Sequence, residues 1–222
     1  VTGVQTCALP IFVQHAEGVT DTPPYEELEP RFQASILYNG ASWKDRTIES
    51  FVGGSDGFCV WNKEPEPQGR TTTGYYLRKR VDESHDVINE NGSVQPVTII
   101  RLGEVLLNKA EACYRLNDAA GANAAVKAIR DRVGLPYQDK AGENLWKAIR
   151  QERKVELAYE GQWYWDLRRW KVAHEQYPTG LNGYQVHGLR IEQQPNGDFV
   201  YNYVSVDDKD RNFPERMYRF PL

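Results

Sequence analysis

The side chains best equipped for chemistry gather in one stretch. Glu152, Glu156, Glu160 and Asp166 lie close together in the chain. Two such carboxylates could act as the acid and base of glycoside cleavage, provided that one has a raised pKa. Here they alternate with Arg150, Arg153, Arg168 and Arg169. Dense opposite charge lowers carboxylate pKa values, so the spacing predicts a structural ion-pair network. A carboxylate-based glycoside hydrolase is the alternative. His15, His85, His174 and His187 show no H-E-x-x-H spacing. Cys7, Cys59 and Cys113 are widely spaced and odd in number, which argues against a disulfide framework or a zinc cluster. Cys113 falls on an apolar helical face and reads as packing. Gly53-Gly-Ser-Asp-Gly57 has no following Lys-Ser/Thr and Asp56 no acidic neighbour. It reads as a tight turn rather than a phosphate or calcium site. No cofactor and no metal are expected.

The aromatic residues carry a different chemistry. Six Trp and thirteen Tyr stand against one Met. Such rings join a flat apolar face to a polar edge, which suits sugar-like ligands or large partner surfaces. Trp43, Phe58, Trp61, Tyr75 and Tyr76 cluster in sequence, interleaved with Arg46, Asn62, Arg70 and Arg78. Aromatic faces flanked by hydrogen-bonding groups form a groove that holds a glycan. Trp43, Trp61, Tyr75 and Tyr76 are therefore the candidate ligand-binding residues. The competing reading is that these rings are local cores pinning a long loop.

Elements must position these groups. The 222 residues, 40% hydrophobic and 26% charged, describe a globular chain with a real core. A formal charge of −4 supplies no overall field for nucleic acid. No apolar run is long enough to span a bilayer. Residues 13–98 are rich in Pro and Gly and poor in helix signal, with short extended stretches expected at 33–37, 58–61 and 73–77. Residues 99–172 are helical. Leu102, Leu106, Ala110, Cys113 and Leu116 mark one face. Arg101, Glu104, Asn108, Glu111 and Arg115 mark a second, with Glu111 and Arg115 spaced for an ion pair. Asn117-Asp118 breaks the pattern, and Ala122, Val126, Ile129 and Val133 define the return helix, stopped by Gly134 and Pro136. A third helix is expected from about Asn144, as N-cap, to Glu160, with Glu152 on its apolar stripe. A carboxylate there must be paired. A fourth runs from Gln162 to about Val172, with Trp163, Leu167 and Trp170 on one face. Residues 173–222 read as a loop and then a β-hairpin, 187–192 with 198–203, turning at Pro195-Asn-Gly197. The fold class is mainly α, with helix pairs, long loops and a C-terminal β-hairpin.

Several of these segments resemble one family. Arg101-Leu-Gly-Glu-Val-Leu-Leu-Asn-Lys-Ala-Glu-Ala112, Ala128-Ile-Arg-Asp-Arg-Val-Gly-Leu-Pro136 and Ile149-Arg-Gln-Glu-Arg-Lys-Val-Glu-Leu-Ala-Tyr-Glu-Gly161 are similar to motifs of SusD/RagB proteins. So is Trp163-Tyr-Trp-Asp-Leu-Arg-Arg-Trp170. Glu29-Pro-Arg-Phe32 resembles the family's D-P-R segment with Glu for Asp, and Phe220-Pro221-Leu222 the start of its closing L-x-P-I-P segment. The order is kept over residues 25–222. The resemblance implies a SusD-like helical fold with tetratricopeptide-like pairs. It also implies a surface-exposed outer-membrane lipoprotein that captures oligosaccharides or other nutrients without catalysis. Delivery to a SusC-like TonB-dependent transporter would follow. Membrane contact would run only through a lipid anchor, which lies outside this chain. Arg101, Glu104, Glu111, Glu152, Arg153, Glu156, Asp166 and Arg169 become fold-specifying pairs on this view. A helical-repeat scaffold that binds protein alone is the remaining alternative. Residues 1–12 resemble a translated sequencing adapter and read as a non-native leader. Residues 13–222 then form a C-terminal portion of a SusD-like domain: 13–98 loop-rich, 99–172 helical pairs, 173–222 loop and hairpin.

Overall fold

A computed structural model describes residues 17–57, 70–86, 89, 92–93, 95–177, 186–206 and 211–219. Trp61, the stretch expected at 58–61, Cys7, Cys59, His15 and residues 220–222 lie outside them.

Six helices and seven short strands are described: β1 Gly18–Thr20, α1 Pro30–Ser35, β2 Ile36–Leu37, β3 Ser42–Trp43, β4 Arg46–Thr47, β5 Tyr76–Leu77, α2 Leu102–Arg115, α3 Ala119–Arg132, α4 Gly142–Glu156, α5 Gln162–Arg169, α6 Ala173–Gln176, β6 His187–Gln193 and β7 Phe199–Ser205. The helical half is built on the α2–α3 hairpin. Asn117 takes the left-handed conformation at φ 61°. That lets the Asp118 amide return to the Cys113 carbonyl at 2.8 Å and closes α2. Asp118 then caps α3 by accepting from the Gly121 amide at 2.8 Å, as N-cap aspartates do. Ala110, Ala122, Ala125 and Val126 form the seam and Leu145 and Ile149 of α4 cover it. Small side chains allow this close approach. Gly134, at φ +70°, ends α3 where the sequence places the stop.

Three helical expectations shift. Leu102 and Leu116 stand out to solvent at 70% and 79%, while Leu107 and Ala110 are fully buried. The inward face of α2 is thus rotated by about one residue from the predicted stripe. Helix α4 starts after the extended Ala141 and stops at Glu156 rather than Glu160. Helix α5 ends at Arg169 because Lys171 is left-handed at φ 58° and the Val172 amide turns back to Leu167 at 3.0 Å.

The hairpin forms as expected, with β6 and β7 antiparallel and Leu189 opposite Tyr203, Ile191 opposite Tyr201. Alternation places these four side chains on one face. They pack on Phe32, Ile36, Tyr25 and Tyr75. β1 adds a third strand to β7. Within the stretch expected to be extended at 33–37, residues 33–35 instead finish α1. Pro30 fits the first turn of a helix, where its missing N–H costs nothing.

The 71–75 loop lies directly on β6. Leu189 donates to the Thr73 carbonyl at 2.9 Å, and the Ser50 hydroxyl to the Gly74 carbonyl at 2.9 Å. A Cβ on Gly188 would stand 2.5 Å from the Thr73 Cα. Gly188→Ala should therefore lower stability by about 1–3 kcal/mol through overpacking, read as a lower urea midpoint with far-UV spectrum unchanged. An unaltered midpoint would contradict this packing.

Candidate functional site

Glu152 and Glu156 sit one turn apart on the inward face of α4, at 4% and 2% exposure. Arg31 of α1 reaches both, at 2.6 and 2.9 Å, and also holds Glu29 at 2.8 Å. Arg130 of α3 completes Glu152 at 3.0 Å. Arg101 and Arg132 complete Glu156 at 2.6 and 3.0 Å. Beyond the helix, Glu160 takes Arg101 at 2.7 Å and Lys79 at 2.6 Å. The same cations cap α4. Arg101 donates to the Glu156 carbonyl at 2.6 Å. Lys79 donates to the carbonyls of Glu156 and Ala158 at 3.0 and 2.9 Å. Positive charge belongs at this end of a helix, which explains why α4 stops here.

A second knot joins α2, α4 and α5. Arg153 donates to Asp166 at 2.6 Å and Asn108 at 2.7 Å. Arg169 bridges Asp166 at 2.9 Å and Glu111 at 2.6 Å. Glu111 thus takes Arg169 as its close partner, with the expected Arg115 only at 4.0 Å. Glu104 makes no ion pair with a described residue, so it leaves the predicted set. Arg31, Lys79, Arg130 and Arg132 enter it. The Glu-Pro-Arg-Phe segment was the one signal for Arg31, because periodicity alone says nothing about a residue so distant in sequence.

This network suits structure better than acid catalysis. Burial pushes the Glu156 carboxyl up, but hydrogen bonds from Arg101 and Arg31 outweigh it and hold the group below its ordinary value. Glu160, with Arg101 and Lys79, and Glu111, with Arg169, show the same balance. A general acid needs the opposite shift.

The aromatic candidates lie on the other half. β3 and β4 form a tight hairpin whose turn residues, Lys44 and Asp45, both have positive φ, 45° and 62°, the twist two-residue hairpins favour. Half-buried Trp43 and Tyr76 pack on one small core of Leu37, Ala41 and Ile48. The Lys44 ammonium lies 5.8 Å from the Trp43 ring. Tyr76 donates to the Asp56 carbonyl at 3.0 Å. Arg46 grips the Asp56 carboxylate with both terminal nitrogens, at 2.6 and 2.7 Å, and holds its pKa down. The glycine-rich segment is a turn, with Gly54 donating to Phe51 and Gly57 to Gly54, both at 3.0 Å. Asp56 is therefore committed to Arg46 rather than presented to a cation. Tyr75 points the other way, into the sheet core, at 8% exposure and 3.1 Å from the Tyr25 hydroxyl. The structure thus brings Trp43 and Tyr76 together and sets Tyr75 behind them.

A helical hairpin closed by a third helix, tied by buried ion pairs to the α1 segment beside a small antiparallel sheet, defines an α-rich fold class. The SusD family model matches residues 12–222, and the chain belongs to that family. It is 33% identical over 117 residues to SusD-like protein P2 of Formosa agariphila, covering 47% of this chain and 21% of that one. A SusD-like protein from Bacteroides fragilis superposes with TM-score 0.66 at 30% identity, over 87% of this chain and 35% of that one. A SusD-like carbohydrate-binding protein from the same species has the same fold, with TM-score 0.65 at 24% identity, over 89% and 41%. The chain spans at most about two fifths of these relatives.

Removing a buried partner leaves the remaining charges uncompensated. Glu156→Ala should cost about 3–5 kcal/mol, measured by urea denaturation; a loss under about 1 kcal/mol would show that the arginines find other partners. Because the folded state holds Glu111, Glu156 and Glu160 below their ordinary value of 4.5, their stabilisation is complete above that value and is lost as pH falls from it through the lower folded-state values. The melting temperature should be flat near neutrality and fall below about pH 5. A flat profile down to pH 3 would refute that linkage.

Proposed function

We propose that the chain forms part of a surface-exposed outer-membrane lipoprotein. It captures oligosaccharides or related nutrients without chemistry and passes them to a SusC-like TonB-dependent transporter. Membership of the SusD family over residues 12–222 carries this reading. A relative of the same fold is a SusD-like carbohydrate-binding protein. No described helix is long and apolar enough to cross a membrane, and the proposal assigns membrane attachment to a lipid anchor.

In this reading Trp43 and Tyr76 supply stacking faces, while Arg46, Lys44 and the carbonyl groups of the Gly-rich turn supply hydrogen bonds. Trp61 extends the aromatic set. Tyr75 holds the loop from behind through its hydroxyl bond to Tyr25. Binding through such a shallow platform is modest, because ordered water is shared with the ligand and little area is buried.

The test titrates the chain with neutral plant and fungal glycans while following Trp fluorescence and melting temperature. One glycan class should raise the melting temperature without release of reducing sugar. Trp43→Ala should weaken that binding about tenfold, the worth of one aromatic stacking contact, and leave the unfolding free energy from urea denaturation within about 1 kcal/mol. Unchanged affinity in Trp43→Ala would remove this residue from the site. Released sugar would overturn the non-catalytic reading.

A further inference from the structure

A second aromatic surface lies on the helical half, away from Trp43. Tyr114 of α2 stacks on Trp146 of α4 at 5.2 Å. Trp146 meets Trp170 edge-on at 5.6 Å, and Trp170 meets Trp163 at 6.4 Å. Cations cover these rings. The Arg115 guanidinium lies 4.5 Å from the Trp146 centroid. Arg169 and Arg150 lie 4.8 and 5.2 Å from Trp170, and Lys154 lies 5.0 Å from Trp163.

A ring face covered by a guanidinium at about 5 Å, as on Trp146 and Trp170, is closed to direct stacking by a pyranose. A guanidinium lying over a ring keeps its in-plane N–H edge for a second partner, and that edge matches a carboxylate or a phosphate-like oxyanion. The local carboxylates do not exhaust this capacity. Glu111 takes Arg169 at 2.6 Å and the Trp170 indole N–H at 3.2 Å, and Asp166 takes Arg153 and Arg169. Arg115, 58% exposed, approaches Glu111 only at 4.0 Å. Arg150 pairs with no carboxylate among the described residues.

We propose that the Tyr114–Trp146–Trp170 stripe, with Arg115 and Arg150 laid on its rings, binds negatively charged saccharide chains bearing carboxylate or sulfate groups. The inference rests on the chain being a glycan binder, but it places a separate site with a separate ligand class. The rings fix the guanidinium groups in a row, and the exposed edges meet successive anionic groups.

The experiment titrates the chain with polygalacturonate, dextran sulfate and neutral dextran by calorimetry at low and high salt. At least one polyanion should bind and weaken steeply as salt rises, and neutral dextran should not compete with it. Polygalacturonate alone would assign carboxylate, dextran sulfate alone sulfate. Arg150→Gln and Arg115→Gln should each weaken the polyanion at least fivefold. Arg150→Lys should recover part of the loss, and Trp43→Ala should leave polyanion binding unchanged. Polyanion binding unaffected by either glutamine variant, or absent altogether, overturns the proposal. Neutral-glycan binding at Trp43 would survive either result. Conversely, polyanion binding with no response to any neutral glycan would leave this site standing and remove the Trp43 one.

Discussion

The described fold turns on two carboxylates that are almost wholly buried. Glu152 and Glu156 project from one face of α4 into the space where helices and sheet meet. An unpaired buried carboxylate costs several kcal/mol, so cations must come to it. They arrive from α1, α3 and the start of α2: Arg31, Arg130, Arg132 and Arg101. They lie on three different parts of the chain, so satisfying the pair brings those parts together. The apolar cores on either side then need only fill what the ions have already placed.

The aromatic loops inherit their position from that junction. Arg31 lies next to Phe32, which packs with Ile36, Tyr25 and Tyr75 in the sheet core. Ile36 and Leu37 pair with Leu77 and Tyr76, and Leu37 anchors the small cluster that carries Trp43. Lys79, two residues beyond β5, returns to the end of α4. The proposed stacking residues are thus held at both ends by the charged network. Trp43 and Tyr76 gain rigidity in this way while staying half-buried against Leu37, Ala41 and Ile48.

How much of this was legible in sequence differs by element. The α2–α3 hairpin was, because Asn117-Asp118 and Gly134 are local signals whose physics acts within one turn. The β6–β7 hairpin was, because alternation and a Pro-Asn-Gly turn specify register. Glu152 was readable as a carboxylate that must be paired, though not its partner Arg31, since pairing across the chain leaves no periodic trace. Leu102 and Leu116 were misassigned because periodicity reports which face is apolar, not which part of it is covered. Tyr75 and Tyr76 look alike in sequence. Only strand direction separates them, sending one hydroxyl to Tyr25 and the other to Asp56.

The choice of ions over an apolar seam at the junction has its own logic. Hydrophobic residues of similar volume are often as stabilising as a buried ion pair. They would, however, accept several neighbouring placements of α4 against α1 and α3. Carboxylates at Glu152, Glu156 and Glu160 do not: each presents two oxygens to a particular set of donors. Sliding α4 by one residue rotates it by about 100° and turns the carboxylates from the arginines into apolar surroundings. Arg101 sharpens the constraint further, since it binds a side-chain oxygen of Glu156, the Glu156 backbone carbonyl and Glu160 together. That combination fits only a helix that ends at residue 156. The network therefore selects one register and one helix end, and a surface whose proposed ligand residues sit on short strands and turns needs that selection more than it needs added stability.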